Sequence, residues 1–374
     1  MQVETSPFVF DGPVPPEQLA GRDRELAALR DRATHGRFCL LYGPRRFGKT
    51  SVIGRLAHDC QADKDLAVVV CDLQGVLSMD DISRRLAAAF SDLNHTKVRT
   101  ALLRALAGVA EGGLRAAGAR FGIDIGNGVF RSEDSPPSQT LEALLALPPQ
   151  AANRTGTRVL VVLDEFQAVA DVWQADAVLR SQIQHHRQQV SYLFSGSEQG
   201  LLRGLFSERA APLFGQAERF ELGPLPAPVA AEYVSEQFGS TGRDAGPALA
   251  PLVQAAAGHP QRLNLLAHHL WNLVPDGGQA DEDAWREAYG AALTYVRPEL
   301  LAVWSGIGGN HRKALRLVAW GEPLFGAAAQ RLRLSGGSAT AAREVLEQRS
   351  VIDEGGVIVD PLLASWIRHE HPSP

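Results

Sequence analysis

Lysine is the scarcest charged residue of this 374-residue sequence. Only four of the 37 basic residues are lysines, and all the others are arginines. The four are Lys49, Lys64, Lys97 and Lys313. A coding bias toward arginine is the simplest explanation. Any chemistry that requires an amine is therefore restricted to four positions.

Cysteine is also scarce. Cys39, Cys60 and Cys71 are scattered without a C-x-x-C pair, which excludes a disulfide framework and a zinc knuckle. Cys39 and Cys71 lie inside apolar runs, so we expect them to be small core residues.

Long apolar runs and strong net charge are missing as well. No apolar stretch approaches the roughly 18 residues of a membrane span, and residues 1–12 lack the features of a signal peptide. The net charge of −5 excludes a polycation that binds nucleic acid or membranes by charge alone. Length and a hydrophobic content of 45% predict two or three globular domains. We therefore expect a cytoplasmic protein with no membrane partner.

Continuous apolar runs predict a parallel β-sheet. Runs that are apolar on both faces and alternate with helical segments are typical of strands covered by helices on both sides. Four such runs are residues 38–42, 66–73, 158–165 and 190–197, and a fifth strand is expected around 218–222. Residues 80–150 are predicted to be an inserted helical region, with a Gly-flanked segment at 121–130 and a mobile loop at 132–139.

A phosphate-binding motif follows the first predicted strand. GPRRFGKT, residues 43–50, matches G-x-x-x-x-G-K-[ST] and opens a helix, as this motif requires. Gly43 and Gly48 would let backbone N–H groups wrap a phosphate at the helix N-terminus. Lys49 would reach the β- and γ-phosphates, and Thr50 would offer its hydroxyl to Mg²⁺. The alternative is a Gly-rich turn with an incidental lysine.

An acidic pair follows the third run. Asp164 and Glu165 are expected at the carboxyl end of a buried strand, where ligands of open α/β sheets bind. Asp164 would hold Mg²⁺, and Glu165 would polarise the attacking water, which favours hydrolysis over transfer to a small molecule. Ser195 and Ser197, at the end of the next strand, are sensor candidates for the γ-phosphate or the water. The alternative for the acidic pair is a solvated loop, and the alternative for the two serines is ordinary turn residues.

The order of motifs along the chain resembles a known family. LAGRDREL, GPRRFGKTS, VVLDEFQ, FSGSE, APLFGQ, FELGPL and GHPQRLNLLA are together similar to the STAND subgroup of AAA+-related P-loop ATPases, in its archaeal-type ATPase branch. The resemblance covers nearly the whole chain, although residues 80–150 and 275–300 match only in character. It implies an α/β fold with a P-loop NTPase parallel sheet sandwiched by helices, followed by a helical lid and a winged helix. The implied domains are an ATPase core at 1–222, a lid at 223–300 and a winged helix-turn-helix at 301–374.

The resemblance also implies site residues. Leu19 to Arg22, including Gly21, would lie beside the adenine, and Arg22 would contact the nucleotide. The phosphates of ATP or ADP would be cradled by Gly43, Pro44, Arg45, Arg46, Phe47, Gly48, Lys49, Thr50 and Ser51. Asp164 would serve Mg²⁺, and Glu165 and Lys49 would be the catalytic residues. Pro260 of the GHP segment would pack near the base as a rigid apolar surface, with a plain helix-breaking turn as the alternative.

One position departs from the family pattern. Where relatives often read P-L-Y-G-R, this chain ends the segment 212–216 in Gln216. Glutamine has no charge to offer a developing phosphate charge, although Arg209 or Arg219 could substitute. No arginine finger supplied in trans is evident. The sequence therefore predicts slow hydrolysis or a mostly bound nucleotide.

The last 70 residues predict three helices and a hairpin, the winged-helix pattern. Residues 311–349 contain seven basic and three acidic residues. The third helix offers Arg343, Gln348 and Arg349 to double-stranded DNA, but it also carries two glutamates. DNA binding and docking on a protein surface, including the ATPase core, both stay open.

Other candidate sites are excluded or assigned to structure. Some relatives carry a nuclease site that needs a lysine, but no lysine follows Lys313. Two histidine pairs lack ligand partners at metal-binding spacing and are expected at surface or capping positions. They are His185–His186 and His268–His269. Four tryptophans at helical positions are expected in the core, namely Trp271, Trp285, Trp304 and Trp320.

The leading hypothesis is an ATP-dependent switch in which the nucleotide state repositions a winged helix. One alternative is a DNA-binding regulator with nucleotide as its effector. Another is a scaffold, or homo-oligomer, that assembles on nucleotide without significant turnover.

Overall fold

The computed structural model describes residues 5–116, 121–124, 129–132, 136–209 and 211–374. Two compact units divide the chain. The sheet unit contains residues 15–43 and 49–222, and the helical unit contains the residues up to Val14, Pro44–Gly48 and Gly223–Pro374.

A five-stranded parallel sheet forms the centre of the sheet unit, in the order β2-β5-β6-β1-β7. Two further strands, β3 and β4, pair antiparallel with each other. The strands are β1 (Cys39–Tyr42), β2 (Leu66–Asp72), β3 (Phe121–Asp124), β4 (Val129–Ser132), β5 (Arg158–Asp164), β6 (Val190–Gly196) and β7 (Glu218–Glu221). The predicted parallel sheet and all five of its predicted strands are confirmed.

Alternate residues of the central strands enter two separate cores. On one face, Leu41 of β1 and Val162 of β5 pack with Ile53. On the other face, Leu40 and Val161 pack with residues from the segments between β2 and β6. Because both faces are covered, β5 and β6 are buried almost throughout, as is typical of parallel sheets.

Eight helices belong to the described part of the sheet unit. They are α1 (Asp23–Thr34), α2 (Lys49–Asp59), α3 (Met79–Ser91), α4 (Thr96–Ala116), α5 (Pro137–Leu145), α6 (Leu147–Thr155), α7 (Ala175–Ile183) and α8 (Gln199–Ser207). Two 3₁₀ helices span Pro16–Gln18 and Phe166–Asp171. Helices α3 to α6 and the β3–β4 pair lie between β2 and β5 in the chain. Parts of the predicted segments at 121–130 and 132–139, residues 125–128 and 133–135, lie outside the described residues.

The helical unit contains the remaining described helices. They are α9 (Ala227–Ser240), α10 (Leu249–Ala256), α11 (Pro260–Leu273), α12 (Glu282–Ser305), α13 (Gly309–Ala319), α14 (Ala327–Arg331), α15 (Gly336–Gln348) and α16 (Pro361–Glu370). A 3₁₀ helix at Gly246–Ala248 precedes α10. The two strands expected after α15 are reduced to one antiparallel bridge, Ile352 to Ile358, since only residues 349–360 separate α15 from α16 and these include the turn at Asp353–Gly356. None of the helices described is long and apolar enough to cross a membrane.

Cys39, Cys71 and, of the four tryptophans, only Trp271 lie in the core as predicted, whereas Trp285 and Trp304 are partly buried. Cys39 and Cys71 lie buried in β1 and β2, and burial raises the pKa of each thiol to about 12, so both stay protonated. Trp271 is buried, with its indole N–H donating to Thr241. The prediction of a core position is wrong for Trp320, which is 37% exposed at the end of α13.

The histidine prediction is wrong for His186. Its ring is buried and shares a 3.0 Å hydrogen bond with the hydroxyl of Tyr192. Burial, and to a smaller extent the neighbouring His185, lower the pKa of His186 to about 4, so the ring is neutral and structural. Over the part of the chain that can be described, no group of three His, Cys, Asp or Glu side chains could hold a metal ion.

Candidate nucleotide-binding site

The G-x-x-x-x-G-K-T loop connects β1, which lies between β6 and β7, to helix α2. Both glycine positions of the motif require a residue without a side chain. A Cβ on Gly43 would come within 2.6 Å of the Leu222 carbonyl oxygen, and Gly48 has φ +89°, a conformation that side-chain-bearing residues rarely adopt. The loop is therefore shaped by steric requirements that only glycine meets at these two positions.

Lys49 directs its amine back into the loop. It is the first residue of α2, is buried, and its Nζ donates to the Gly43 carbonyl oxygen over 2.9 Å. A buried ammonium inside a loop of N–H groups, at a helix N-terminus, is an arrangement that attracts anions. Ser51, two residues further along α2, is also buried.

Thr50 and Asp164 meet across the sheet unit. Asp164 is the last residue of β5 and is buried, and its Oδ2 accepts a 3.0 Å hydrogen bond from the Thr50 hydroxyl. Hydroxyl and carboxylate oxygens are the hard ligands that Mg²⁺ prefers. The pair thus fits the magnesium role predicted for both residues.

Glu165 occupies a strained backbone conformation. Its φ and ψ of 52° and 41° lie in the left-handed region, which costs a residue other than glycine about 1–3 kcal/mol. Its N–H donates to Asp164 Oδ1 over 3.0 Å, and its carboxylate accepts a hydrogen bond from Gln167 Nε2. Strain of this kind persists where neighbouring contacts fix a functional side chain. Gln167 is a residue that the sequence analysis did not identify.

The two sensor candidates lie at the end of β6. Ser195 pairs in register with Leu41 of β1 and is fully buried. Within the described residues its hydroxyl makes no hydrogen bond. Ser197, immediately after the strand, is also buried. Both positions lie at the carboxyl end of β6, which pairs with β5 and with β1, the strands that precede the acidic pair and the loop, and their sensor role stays a prediction.

The predicted adenine-side residues precede α1. Gly21 has φ +61°, and Arg22 is buried and forms a 2.8 Å ion pair with Glu25 in the first turn of α1. The charge of Arg22 is therefore balanced inside the sheet unit. Its contact with a nucleotide stays a prediction.

Residues 44–48 of the loop pack within the helical unit. The Phe47 ring lies edge-on against His259, with ring centroids 4.9 Å apart. Arg46, at φ +67°, forms an ion pair with Glu299 of α12. The neighbouring loop residues are Pro44 and Arg45; Arg45 is exposed.

His259 caps helix α11 in the GHP segment. Its Nδ1 accepts from the backbone N–H of Arg262 over 3.3 Å, and Pro260 occupies the first helical position. Burial is the main cause that lowers the pKa of His259 to about 4. The charges of Arg262 and Arg46 lower it further, and Asp360 opposes them. The imidazole is therefore neutral at physiological pH.

A buried arginine anchors the same region. Arg262 is 1% exposed, and its guanidinium binds Asp360, with a 3.1 Å bond from Nε to Oδ1, and Glu299, at 3.3 Å. Burial alone would raise the pKa of the Asp360 carboxyl, but the hydrogen bonds and charge of Arg262 hold that pKa below its usual value. This cluster could not be predicted from the sequence, because Glu299 and Asp360 lie 37 and 98 residues from Arg262.

The residue at the position that departs from the family pattern, Gln216, is uncharged. Gln216 follows a turn, and its backbone oxygen accepts from Arg187. Of the two possible substitutes, Arg219 lies over the ring of Tyr42 at 4.7 Å, and Arg209 is exposed in a turn. The guanidinium of Arg219 is thus committed to a contact within the sheet unit.

The three DNA-binding candidates lie on or next to α15. Arg343 pairs with Glu347 at 2.6 Å and donates to the Glu354 carbonyl oxygen. Arg349 donates to the Gly306 carbonyl oxygen, and Gln348 is exposed. Both arginines are therefore held by contacts within the chain.

Comparisons with known proteins agree with this geometry. Residues 18–195 match the family model of the AAA ATPase domain, a range that includes the loop at 43–50 and the acidic pair. This part of the chain is therefore similar to the AAA ATPase domain. No curated protein sequence matches the chain.

Solved structures share the fold over nearly the full length. The Walker-type ATPase PABY2304 of Pyrococcus abyssi has a TM-score of 0.67 at 16% identity, over 96% of this chain and 99% of that one. The ADP form of the ORC2 protein of Aeropyrum pernix has a TM-score of 0.56 at 14% identity, over 98% of each chain. The Aeropyrum pernix ORC1 protein in complex with DNA has a TM-score of 0.50 at 12% identity, over 95% of this chain and 94% of that one. At such identities the similarity concerns the fold.

Proposed function

We propose that this protein binds ATP with Mg²⁺ and hydrolyses it slowly to ADP and phosphate, as a nucleotide-dependent switch of the STAND type. The observation that carries the proposal is the hydrogen bond from Thr50 to Asp164 beside the buried amine of Lys49. Two adjacent residues of the loop and one residue 114 positions further along the chain thereby provide the ammonium and oxygen groups that a metal-bound triphosphate requires.

The roles of the residues follow from their chemistry. Lys49 exchanges the Gly43 carbonyl oxygen for phosphate oxygens, and the N–H groups of residues 43–51 bind the remaining phosphate charge. Thr50 and Asp164 would hold Mg²⁺, which would neutralise charge on the phosphates. Water adds to the γ-phosphorus, the bond to the β–γ bridging oxygen breaks, and Glu165 accepts the proton of the water.

Slow turnover is proposed because Gln216 occupies the position at which the resembled family often has an arginine. Gln216 has no charge to stabilise the transition state, and Arg219 is engaged with Tyr42. Arginine contacts to the transferred phosphoryl group contribute about 10³–10⁵-fold in related chemistry, so their loss favours a long-lived bound nucleotide. Ser195 and Ser197 as sensors, and Gly21, Arg22 and Pro260 at the base, remain part of this proposal.

The helical unit would provide the moving part of the switch. We propose a lid at residues 223–300 and a winged helix at 301–374, with residues 1–222 as the ATPase core. The order of α13, α14, α15 and the bridge from Ile352 to Ile358 supports the winged helix. The position of the compact-unit boundary, after Leu222, supports the end proposed for the core.

A protein surface is the favoured partner of the proposed winged helix. Arg343 and Arg349 each make contacts within the chain, so binding to a base edge would have to compete with these contacts. DNA binding remains the alternative, and a salt-titrated gel shift with duplex DNA tests it. Binding that weakens steeply with salt would favour DNA as the partner. A cytoplasmic location and a homo-oligomeric state also remain proposals.

Phosphate release tests the proposed hydrolysis. The wild-type protein is expected to release phosphate from ATP in a Mg²⁺-dependent reaction. Glu165→Gln is expected to keep ATP binding but lose about 10²–10⁴-fold in rate, as removal of a general base does. Equal rates for the wild type and Glu165→Gln would contradict the proposed role of Glu165.

A further inference from the structure

Gln167 lies where it can control the side chain of Glu165. It is the second residue of the 3₁₀ helix Phe166–Asp171, and its side chain is 7% exposed. Its Nε2 donates to the carboxylate of Glu165. The reverse orientation of the amide would turn its oxygen against the carboxylate, so charge repulsion fixes the amide with its nitrogen toward Glu165.

The other side of the amide rests on strand β6. A Cβ on Gly196 would overlap Gln167 Oε1 and would lie 3.1 Å from the side chain of Leu202. Gly196 has an ordinary backbone conformation, so the glycine is needed here for space and not for a positive φ. The closed slot between β6 and Leu202 thus holds the amide in one position.

Aromatic packing fixes the helix that carries Gln167. The Phe166 ring contacts Phe194 of β6 at 4.7 Å and Phe206 of α8 at 5.5 Å between centroids. The backbone next to Gln167 is therefore anchored to β6 independently of the amide. Removal of the amide should leave the helix in place.

Gln167 Oε1 has no hydrogen-bond partner among the residues described, although it is buried. Buried amide oxygens are nearly always paired, and an exception calls for an explanation. A fully satisfied amide would be expected if the side chain served only packing. The hydrogen bond that the amide does make is the one from Nε2 to the Glu165 carboxylate.

We propose that Gln167 is a positioning residue that holds the Glu165 carboxylate in the orientation needed to accept a proton from the attacking water, with Gly196 as the slot that fixes the amide. This inference rests on the proposed hydrolysis at the same site. Gln167 acts through Glu165, so it should affect the rate of the chemical step and leave nucleotide affinity unchanged.

Single-turnover ATP hydrolysis and nucleotide affinity, measured on the full-length protein, test the proposal. Gln167→Met keeps the length of the side chain without its donor, and Gln184→Leu, at an exposed amide of the same unit, is the matched control. Gln167→Met is expected to lower the rate by about 10- to 100-fold, a part of the effect of a general base, with ATP affinity within twofold of the wild type. The control is expected to change neither quantity.

Gly196→Ala provides an independent route to the same effect. The added methyl group must displace the amide, so the rate should fall as in Gln167→Met. Both changes disrupt the same contact, the hydrogen bond between Gln167 and Glu165. The double variant should therefore be no slower than the slower of the two single variants. Cooperative unfolding indicates that a variant is folded. If Gln167→Met does not unfold cooperatively, its rate is set aside and Gly196→Ala alone tests the proposal.

Each outcome supports or overturns the inference. An unchanged or faster rate in Gln167→Met, a parallel loss of ATP affinity, or multiplied losses in the double variant would overturn it. If the wild type itself binds ATP without hydrolysing it, the proposed hydrolysis and this inference both fail. If the wild type hydrolyses ATP and Gln167→Met matches it, this inference alone fails.

Discussion

The neutral imidazole of His259 should make stability depend on pH in a defined window. Burial lowers its pKa from 6.5 to about 4 in the folded protein. Between these values the unfolded chain binds more protons than the folded one, so stability is lost as the pH falls from 6.5 toward 4. A shift of this size corresponds to about 3 kcal/mol of unfolding free energy.

His259→Asn isolates this contribution. Asparagine is a good N-cap and does not titrate, so it keeps the cap of α11 and removes the proton-binding group. Unfolding by urea at several pH values between 7.5 and 4 gives the free energy of unfolding for both proteins. The wild type should lose about 3 kcal/mol more than the variant across this range.

Other groups do not obscure the comparison. His186, whose pKa is also lowered to about 4, titrates in the same window, but it is present in both proteins and cancels in the difference. Asp360, Arg262 and Arg46 are the charged groups that influence His259, and all three are kept. Parallel dependence of the two unfolding free energies on pH would refute the assignment of a neutral, buried His259.

Two further predictions concern the buried ion pair and the loop. Asp360→Asn leaves the Arg262 guanidinium buried with a weakened set of partners and should cost about 3–5 kcal/mol in urea unfolding, whereas Glu370→Gln, at an exposed ion pair, should cost less than about 1 kcal/mol. Equal costs would contradict the special role of the buried cluster. Gly43→Ala should abolish ATP binding in a calorimetric titration, because its Cβ would meet the Leu222 carbonyl oxygen at 2.6 Å. The control, Gly54→Ala in open space on α2, should bind ATP normally and gain about 0.5–1 kcal/mol of stability; loss of binding in both variants would contradict this reasoning.

Local sequence patterns identified the sheet and the loop because each depends on neighbouring residues. Continuous apolar runs predicted all five strands, and the spacing of Gly43, Gly48 and Lys49 predicted the loop between β1 and α2. The order β2-β5-β6-β1-β7 was not predicted, since it depends on how long connections cross the sheet. The hairpin after α15 was predicted too long, because a local pattern does not reveal how little of a short segment pairs.

Features that depend on contacts between residues far apart in the chain, or on an unusual backbone conformation, could not be predicted from the sequence. The Arg262 cluster joins residues up to 98 positions apart. The local sequence GHPQR does not distinguish a buried, paired arginine from an exposed one. The left-handed backbone of Glu165 and the contact of Gln167 with Gly196 arise from packing of the 3₁₀ helix on β6. His186 was misjudged because adjacent histidines give no indication of which one faces the core.

Calorimetric titration with ATP and Mg²⁺ tests the central claim most directly. Among the four lysines only Lys49 lies in the loop, and Lys64, at an exposed position of the same unit, provides the matched control. The account predicts that the wild type and Lys64→Ala bind ATP alike, and that Lys49→Ala binds at least about tenfold more weakly, which corresponds to about 1.4 kcal/mol. Equal affinity of Lys49→Ala and Lys64→Ala, or no binding by the wild type freed of copurified nucleotide, would contradict it.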